Sequence, residues 1–206
     1  MTKKKSNKQW LHSQNKDQYV KQARLSHYRS RAVYKLQEID QKDRLLKPNY
    51  CVVDLGSAPG SWSQYASERI VPDGRVIAVD LLPMEPIDQV LFISGDFTDE
   101  AVEKECLGQI GEQGADLVIS DMAPNLTGIR TTDQSRSMTL AELVHGFCHQ
   151  ALKPGGDLLI KMFEGAGTSE YRQLLKEHFI KVLTRKPGAS RDNSREFYVL
   201  ARSYRL

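Results

Sequence analysis

Several things are scarce in this sequence. It has three cysteines, Cys51, Cys106 and Cys148, and no two of them form a C-x-x-C pair. An odd number without paired spacing speaks against a disulfide framework or a zinc ribbon and fits a reducing cytoplasm. No metal site is expected. No apolar run approaches the ~18 residues of a membrane span, so an integral membrane protein is not expected. The start, MTKKKSNKQW, has no apolar stretch behind it and does not read as a secretory signal. Residues 1–16 contain no acid, but they are Lys-rich rather than Arg-rich, which argues against an organellar transit peptide. There is no internal repeat and no linker after residue 50.

What is present is one domain's worth of ordinary globular chain, 206 residues with 40% hydrophobic and 27% charged. The net charge of +3 hides an uneven distribution. Residues 1–50 carry a net +9, residues 51–150 a net −11 and residues 151–206 a net +5. Basic ends around an acidic middle fit a polyanion held by the ends, if these meet on one face. The alternative is a solvated tail with ordinary surface lysines.

Residues 1–25 are polar and read as a basic, flexible N-terminal segment; residues 26–206 read as a single domain. Residues 30–43 read as a helix. Strands are then expected at 51–55, 75–80, 89–94, 115–121, 157–163, 179–185 and 196–202, with helices at 59–70, 99–110, 138–152 and 168–178. Pro154-Gly155-Gly156 stops the third of these helices, and residues 186–194 form a loop. Apolar strands alternating with helices give an α/β fold, a parallel sheet covered by helices on both faces. The last two strands have no helix between them, so the final strand is reversed.

In such a sheet, ligands bind outside the carboxyl ends of the strands. Asp54, Asp80, Asp96 and Asp121 each lie at or just beyond such an end. Lys161 interrupts an apolar run near its end, and Glu196 starts the reversed strand at the same edge. Six ionisable groups on one rim are harder to assign to chance than one. Ala32, Lys35, Leu36 and Ile39 share a helix stripe, so Lys35 must snorkel or find an acid.

The segment DLGSAPGSW (54–62) follows the first strand and opens a helix. Gly56 permits the turn, and Gly60 lets a ligand approach the backbone. Asp80, at the end of the second strand, can bind both hydroxyls of an adenosine ribose. The dinucleotide fingerprint G-x-G-x-x-G is missing, and Asp54 would repel a pyrophosphate. The same acid would attract the sulfonium of S-adenosylmethionine, which is favoured over NAD.

In order and spacing, DLGSAPGSWSQ, VDLLPM, GDF, SDMAPN, LIKMFEG and SREFY resemble the FtsJ/RrmJ (RlmE) family of ribosomal RNA 2'-O-ribose methyltransferases, from about Tyr19 to the last strand. The resemblance implies a Rossmann-like class I methyltransferase with seven strands, and S-adenosylmethionine as methyl donor. It implies a catalytic tetrad at Lys35, Asp121, Lys161 and Glu196, with cofactor contacts at Gly60, Trp62, Asp80, Asp96 and Asp121. It implies a uridine of large-subunit (23S) ribosomal RNA as target, in the assembled subunit.

On that basis Lys161 either takes the proton of the ribose hydroxyl or steers it and stabilises the charge on its oxygen. Asp121 would orient Lys161, while Lys35 and Glu196 position the hydroxyl. Arg29, Arg31, Lys186, Arg191 and Arg195 flank the tetrad and are the candidate phosphate contacts. Asn125–Ser137 reads as a polar loop able to close over substrate. A cytoplasmic monomer is expected. An amino-group methyltransferase acting through [DN]-P-P-[YFW] is disfavoured, since Asp121-Met122-Ala123-Pro124 is followed by Asn125 rather than an aromatic. A C5-cytosine enzyme is too, since no Cys follows a Pro. The alternatives kept are a transfer RNA methyltransferase of the same family and a non-catalytic ribosome assembly factor.

Overall fold

Apolar runs this continuous need cover on both sides, and the chain supplies it by alternating strands with helices. The computed structural model describes residues 18–125, 127–191 and 194–205. Helices α1 (Gln18–Leu25) and α2 (Val33–Asp43) come first. They are followed by β1 (Cys51–Leu55), α3 (Ser61–Arg69), β2 (Arg75–Asp80), β3 (Val90–Ser94), α4 (Glu100–Ile110) and β4 (Ala115–Ser120). The chain ends with α5 (Arg130–Ala151), β5 (Leu152–Phe163), α6 (Thr168–His178), β6 (Phe179–Arg185) and β7 (Glu196–Tyr204). The strands form one sheet in the order β3-β2-β1-β4-β5-β7-β6. All pairings are parallel except those of β7, which runs antiparallel to both β5 and β6. The order reverses between β1 and β4, which opens a crevice at their carboxyl ends.

Side-chain alternation sorts the strand residues into two cores. Cys51, Val53, Leu55, Val118, Leu158, Ile160, Phe197 and Val199 pack with α4, α5 and α6 on one face. Val52, Ile119, Leu159, Tyr198 and Leu200 pack with α2 and α3 on the other. Each large apolar side chain so buried contributes about 1.5–3 kcal/mol. The three cysteines are buried free thiols. Among the described residues no helix is long and apolar enough to cross a membrane.

Three expectations change. Residues 1–17 of the N-terminal segment lie outside the described residues, but 18–25 form α1 rather than a tail. Ala23 is buried in the second core, and the Tyr19 ring lies 5.6 Å from that of Tyr34. The helix expected from residue 138 begins at Arg130, so most of the expected 125–137 loop is helical. Its first turns are polar and carry no apolar period. Asp133 fixes them instead, accepting hydrogen bonds from Thr127 N at 2.7 Å, Thr127 Oγ1 at 2.8 Å and Gly128 N at 3.1 Å. Helix α5 stops at Ala151 and β5 begins at Leu152, so Pro154-Gly155-Gly156 lies within β5, at a register shift between the Ala115 and Leu117 pairings, rather than at the helix end.

Candidate active site

Strand parity brings the site together. On the antiparallel pair, Lys161 of β5 lies opposite Tyr198 of β7, and Phe163 lies opposite Glu196. Lys161 alternates with Ile160 and Met162, which face the first core, so it stands on the second face. Tyr198 and Glu196, two residues apart, stand there as well. The helix covering that face is α2, which buries Leu36 and Ile39 and so carries Lys35 to the sheet.

The result is a chain of four charged groups. Lys35 Nζ lies 2.7 Å from Glu196 Oε1 and 4.0 Å from Asp121 Oδ1. Lys161 Nζ lies 3.0 Å from Asp121 Oδ1 and also donates to the main-chain carbonyl of Asp121. Two positive and two negative charges balance, and Lys161 is 8% exposed, so each needs its partner. Two polar groups absent from the sequence reading complete the network. Tyr198 donates its hydroxyl to Asp121 Oδ1 at 2.6 Å, and Ser190 donates to Glu196 Oε1 at 2.8 Å. Burial first, then the nearby Asp121 and Glu196, hold the Tyr198 phenol well above its ordinary range, so it remains a donor. The position of Tyr198, two residues beyond Glu196, was a signal that the alternation rule could have used.

The four groups stand between two cavities. One, of about 370 Å³, opens at the carboxyl ends of β1, β2 and β4. Asp80, Asp96, Asp121, Phe97, Met122 and Leu140 line it. Asp80 accepts from Ala58 N and Leu82 N, both at 2.8 Å, one on each oxygen. Each oxygen keeps a second lone pair for a ligand hydroxyl. Asp96 accepts from Thr98 N at 2.9 Å and Thr98 Oγ1 at 2.8 Å, bonds that lower its carboxyl below the usual range. Gly56 forms part of the wall at φ +77°, and a Cβ there would meet Met122 Cγ at 2.2 Å. Gly56→Ala must therefore displace Met122 and strain the turn. It is expected to weaken binding of an adenosyl ligand about tenfold in calorimetry, roughly 1.4 kcal/mol.

The other cavity, of about 470 Å³, is lined by Arg31, Lys35, Ala189, Arg191, Ser194 and Glu196. The structure thus brings Arg31 and Arg191 to the tetrad. Arg31 also donates to the Ala189 carbonyl, and its guanidinium lies 5.3 Å from the centre of the Tyr19 ring. Lys186 and Arg195 are exposed, each donating to a main-chain carbonyl at 3.4 Å, those of Ser194 and Glu164. Arg29 is a strut instead. It donates to the carbonyls of Pro59 at 3.2 Å, Glu85 at 2.7 Å and Pro86 at 2.9 Å, tying α2's approach to the glycine turn.

Gly60 and Trp62 do not line the first cavity. Gly60 precedes α3 at φ +103°, and the space a Cβ would need is filled by Met84 Sδ at 2.6 Å and Arg29 Nη1 at 3.0 Å. On that side protein, not ligand, approaches the backbone. The Trp62 indole donates to the Ala32 carbonyl at 2.8 Å and packs against Tyr198 at 5.8 Å, buttressing α2 and the tetrad.

Asp54 also differs from its reading as a group facing the cofactor. It is 1% exposed on the α3 side, where Ser63 donates to it at 2.6 Å and Oδ1 has no partner. Burial, with repulsion from Asp121 and Asp80, pushes its carboxyl up to about 7 against the pull of Ser63. A carboxyl raised in the folded state costs stability as pH climbs from about 3.9, its unfolded value, to the folded one. Across that window the wild type is expected to lose on the order of 4 kcal/mol. Asp54→Asn does not titrate, so its stability relative to wild type is expected to rise by that amount from pH 4 to pH 7, read from urea midpoints.

The chain matches the family model described as FtsJ-like methyltransferase over residues 28–204. It is 50% identical to a "Ribosomal RNA large subunit methyltransferase E" of Azoarcus sp. (strain BH72), over 97% of this chain and 98% of that one. It is 52% identical to the protein of the same name from Pseudomonas aeruginosa, over 100% and 99%. Among solved structures, a ribosomal RNA methyltransferase from Plasmodium falciparum superposes with a TM-score of 0.79 at 32% identity, over 86% of this chain and 98% of that one. Fibrillarin from Aeropyrum pernix, a complex with natively bound S-adenosyl-L-methionine, shares the fold with a TM-score of 0.59 at 16% identity, over 84% and 75%. With the family match spanning nearly every described residue, and with full-length relatives at half identity, this chain belongs to the FtsJ-like methyltransferases.

Proposed function

We propose that this protein transfers a methyl group from S-adenosylmethionine to the ribose 2'-hydroxyl of a uridine in large-subunit (23S) ribosomal RNA. It acts as a cytoplasmic monomer on the assembled large subunit. The observation that carries this reading is the placement of Lys35, Asp121, Lys161 and Glu196 between an acid-lined cavity and an arginine-lined one. The names borne by relatives at half identity support the substrate.

The residues of the first cavity fit the cofactor. Asp80 offers two anchored oxygens to a ribose, while Phe97, Met122 and Leu140 offer apolar surface to a purine. Asp96 and Asp121 suit its ammonium and sulfonium ends, and Gly60 and Trp62 hold the turn that shapes the entrance. When bound, this cofactor supplies an electrophilic methyl group. Everything else falls to the chain.

Arg31 and Arg191, with Lys186 and Arg195 around them, hold the RNA phosphates, and Arg29 braces the glycine turn beside them. Lys161 has two bonds to acceptors on Asp121, which fix Nζ and leave one position of its tetrahedron for the 2'-oxygen. That geometry favours steering and charge stabilisation over proton removal by Lys161. Glu196 Oε1 is taken by Lys35 and Ser190, so Oε2 accepts the hydrogen bond of the hydroxyl, turns its lone pair to the methyl carbon and takes the proton that the oxygen releases on methylation.

The reading is tested with tritiated cofactor and three acceptors from cells lacking the protein: large subunits, protein-free ribosomal RNA and bulk transfer RNA. Label in large subunits at least about tenfold above the others is expected. Preferential labelling of transfer RNA would move the protein to the other substrate.

A further inference from the structure

We propose that His145, His149 and His178 form a binding site for a late divalent transition-metal ion such as Zn²⁺, at the edge of the sheet opposite the tetrad. His145 and His149 lie one turn apart on α5, on the same side of the helix. His178 is the last residue of α6, which packs beside it. One ligand nitrogen from each imidazole lies within 4.8 Å of the other two. The ring centroids are 4.6, 5.1 and 4.5 Å apart.

Two of the imidazole nitrogens are buried where no protein group satisfies them. His145 is 5% exposed, and its Nε2 is buried without a hydrogen-bond partner. His178 Nδ1 is likewise buried and unpartnered. Two orphaned imidazole nitrogens in one cluster are costly in a folded protein, and a shared cation satisfies both. His149 Nδ1 lies 2.8 Å from the Tyr204 hydroxyl, which leaves Nε2 for the metal. An outer hydrogen bond of this kind orients metal-bound histidines generally.

An all-imidazole set selects zinc, copper, nickel or cobalt over magnesium and calcium. Three nitrogens suit a tetrahedral ion whose fourth ligand is water. Bonds of about 2.0–2.1 Å place the nitrogens about 3.4 Å apart, so the rings draw inward, with exposed His149 the freest to move. Helices α5 and α6 both end at the amino edge of the parallel strands, and reversed β7 runs to that edge. The ion would therefore staple α5, α6 and the end of β7, away from the methyl-transfer site. The absence of paired cysteines gave no hint of this. The H-x-x-x-H spacing was in the sequence, but its third partner comes from another helix.

The test uses tag-free protein stripped with chelator, then titrated calorimetrically with ZnCl₂ and separately with MgCl₂. One zinc per chain is expected with a Kd of about 1 µM or below, and no magnesium binding. Saturating zinc should raise Tm by about 5–10 °C. His149→Ala and His178→Ala should each weaken zinc by about 100-fold, and Tyr204→Phe by about 10-fold. Methyl transfer at 25 °C should be the same in these variants as in wild type. Folded wild type that takes up no zinc at about 100 µM, or both histidine variants binding as wild type does, overturns the proposal.

Discussion

Lys161→Ala is expected to lose methyl transfer by at least about 10³-fold in single-turnover assays while cofactor affinity stays within about twofold. The side chain does not line the first cavity, so the surface proposed for the donor is intact without it. What is lost is the one ammonium held by two bonds to Asp121, beside the first cavity that Asp121 lines. Removing a single preorganised donor at an oxygen gaining charge costs about 10²–10³ in rate. Loss of aim at the methyl carbon adds to this, because small misplacements of reacting atoms are expensive. Near-normal turnover would remove Lys161 from the mechanism. A parallel loss of cofactor binding would reassign it to the donor's site.

The second large effect is expected at Asp121, which lines the first cavity and pairs with both lysines. Its carboxylate meets Lys161 at 3.0 Å, Tyr198 at 2.6 Å and Lys35 at 4.0 Å. Asp121→Asn keeps the shape and the bond from Tyr198 but leaves two ammonium groups facing one remaining acid, Glu196. Breaking a buried ion pair costs about 3–5 kcal/mol, and partial exposure here reduces that to about 2–3 kcal/mol. For a chain of this length Tm should fall by about 5–10 °C. Turnover should fall by about 10³-fold as Lys161 loses its anchor, and cofactor affinity should fall too, since Asp121 lines that cavity. Calorimetry and scanning fluorimetry on one preparation separate these effects. Loss of turnover with unchanged Tm and cofactor affinity would reduce Asp121 to a local proton or charge role.

Much of this arrangement was legible in the chain because β structure has a period of two. An apolar run broken by one lysine marks Lys161, and acids at strand ends mark Asp80 and Asp121. Most strand boundaries follow from turn residues that cannot continue a pleated strand, but β5 begins at Leu152 and runs through Pro154-Gly155-Gly156. Tyr198 escaped notice because a tyrosine in a strand looks like core, and only its cross-strand partner shows that its hydroxyl serves Asp121. Arg29 looked like an RNA contact because a basic residue near the site has no visible acceptors in sequence. Its acceptors are carbonyls thirty and more residues away. Asp54 shares its strand with Val52 and Val53, but which side of the sheet receives α3 is a tertiary fact, and that fact buries it. The early turns of α5 were missed because Asp133 fixes them through a capped loop, not through an apolar stripe.

Alkaline hydrolysis of the labelled RNA shows which atom has received the methyl group. A 2'-O-methyl group removes the nucleophile that alkali uses to cleave the next phosphodiester, so labelled RNA should survive hydrolysis as a dinucleotide. Large subunits labelled by the wild-type protein should yield the tritium in one alkali-stable dinucleotide with a methylated uridine at its 5' side. Tritium recovered in mononucleotides would place the methyl on a base, and two lysines with two carboxylates beside a ribose hydroxyl would no longer explain the chemistry.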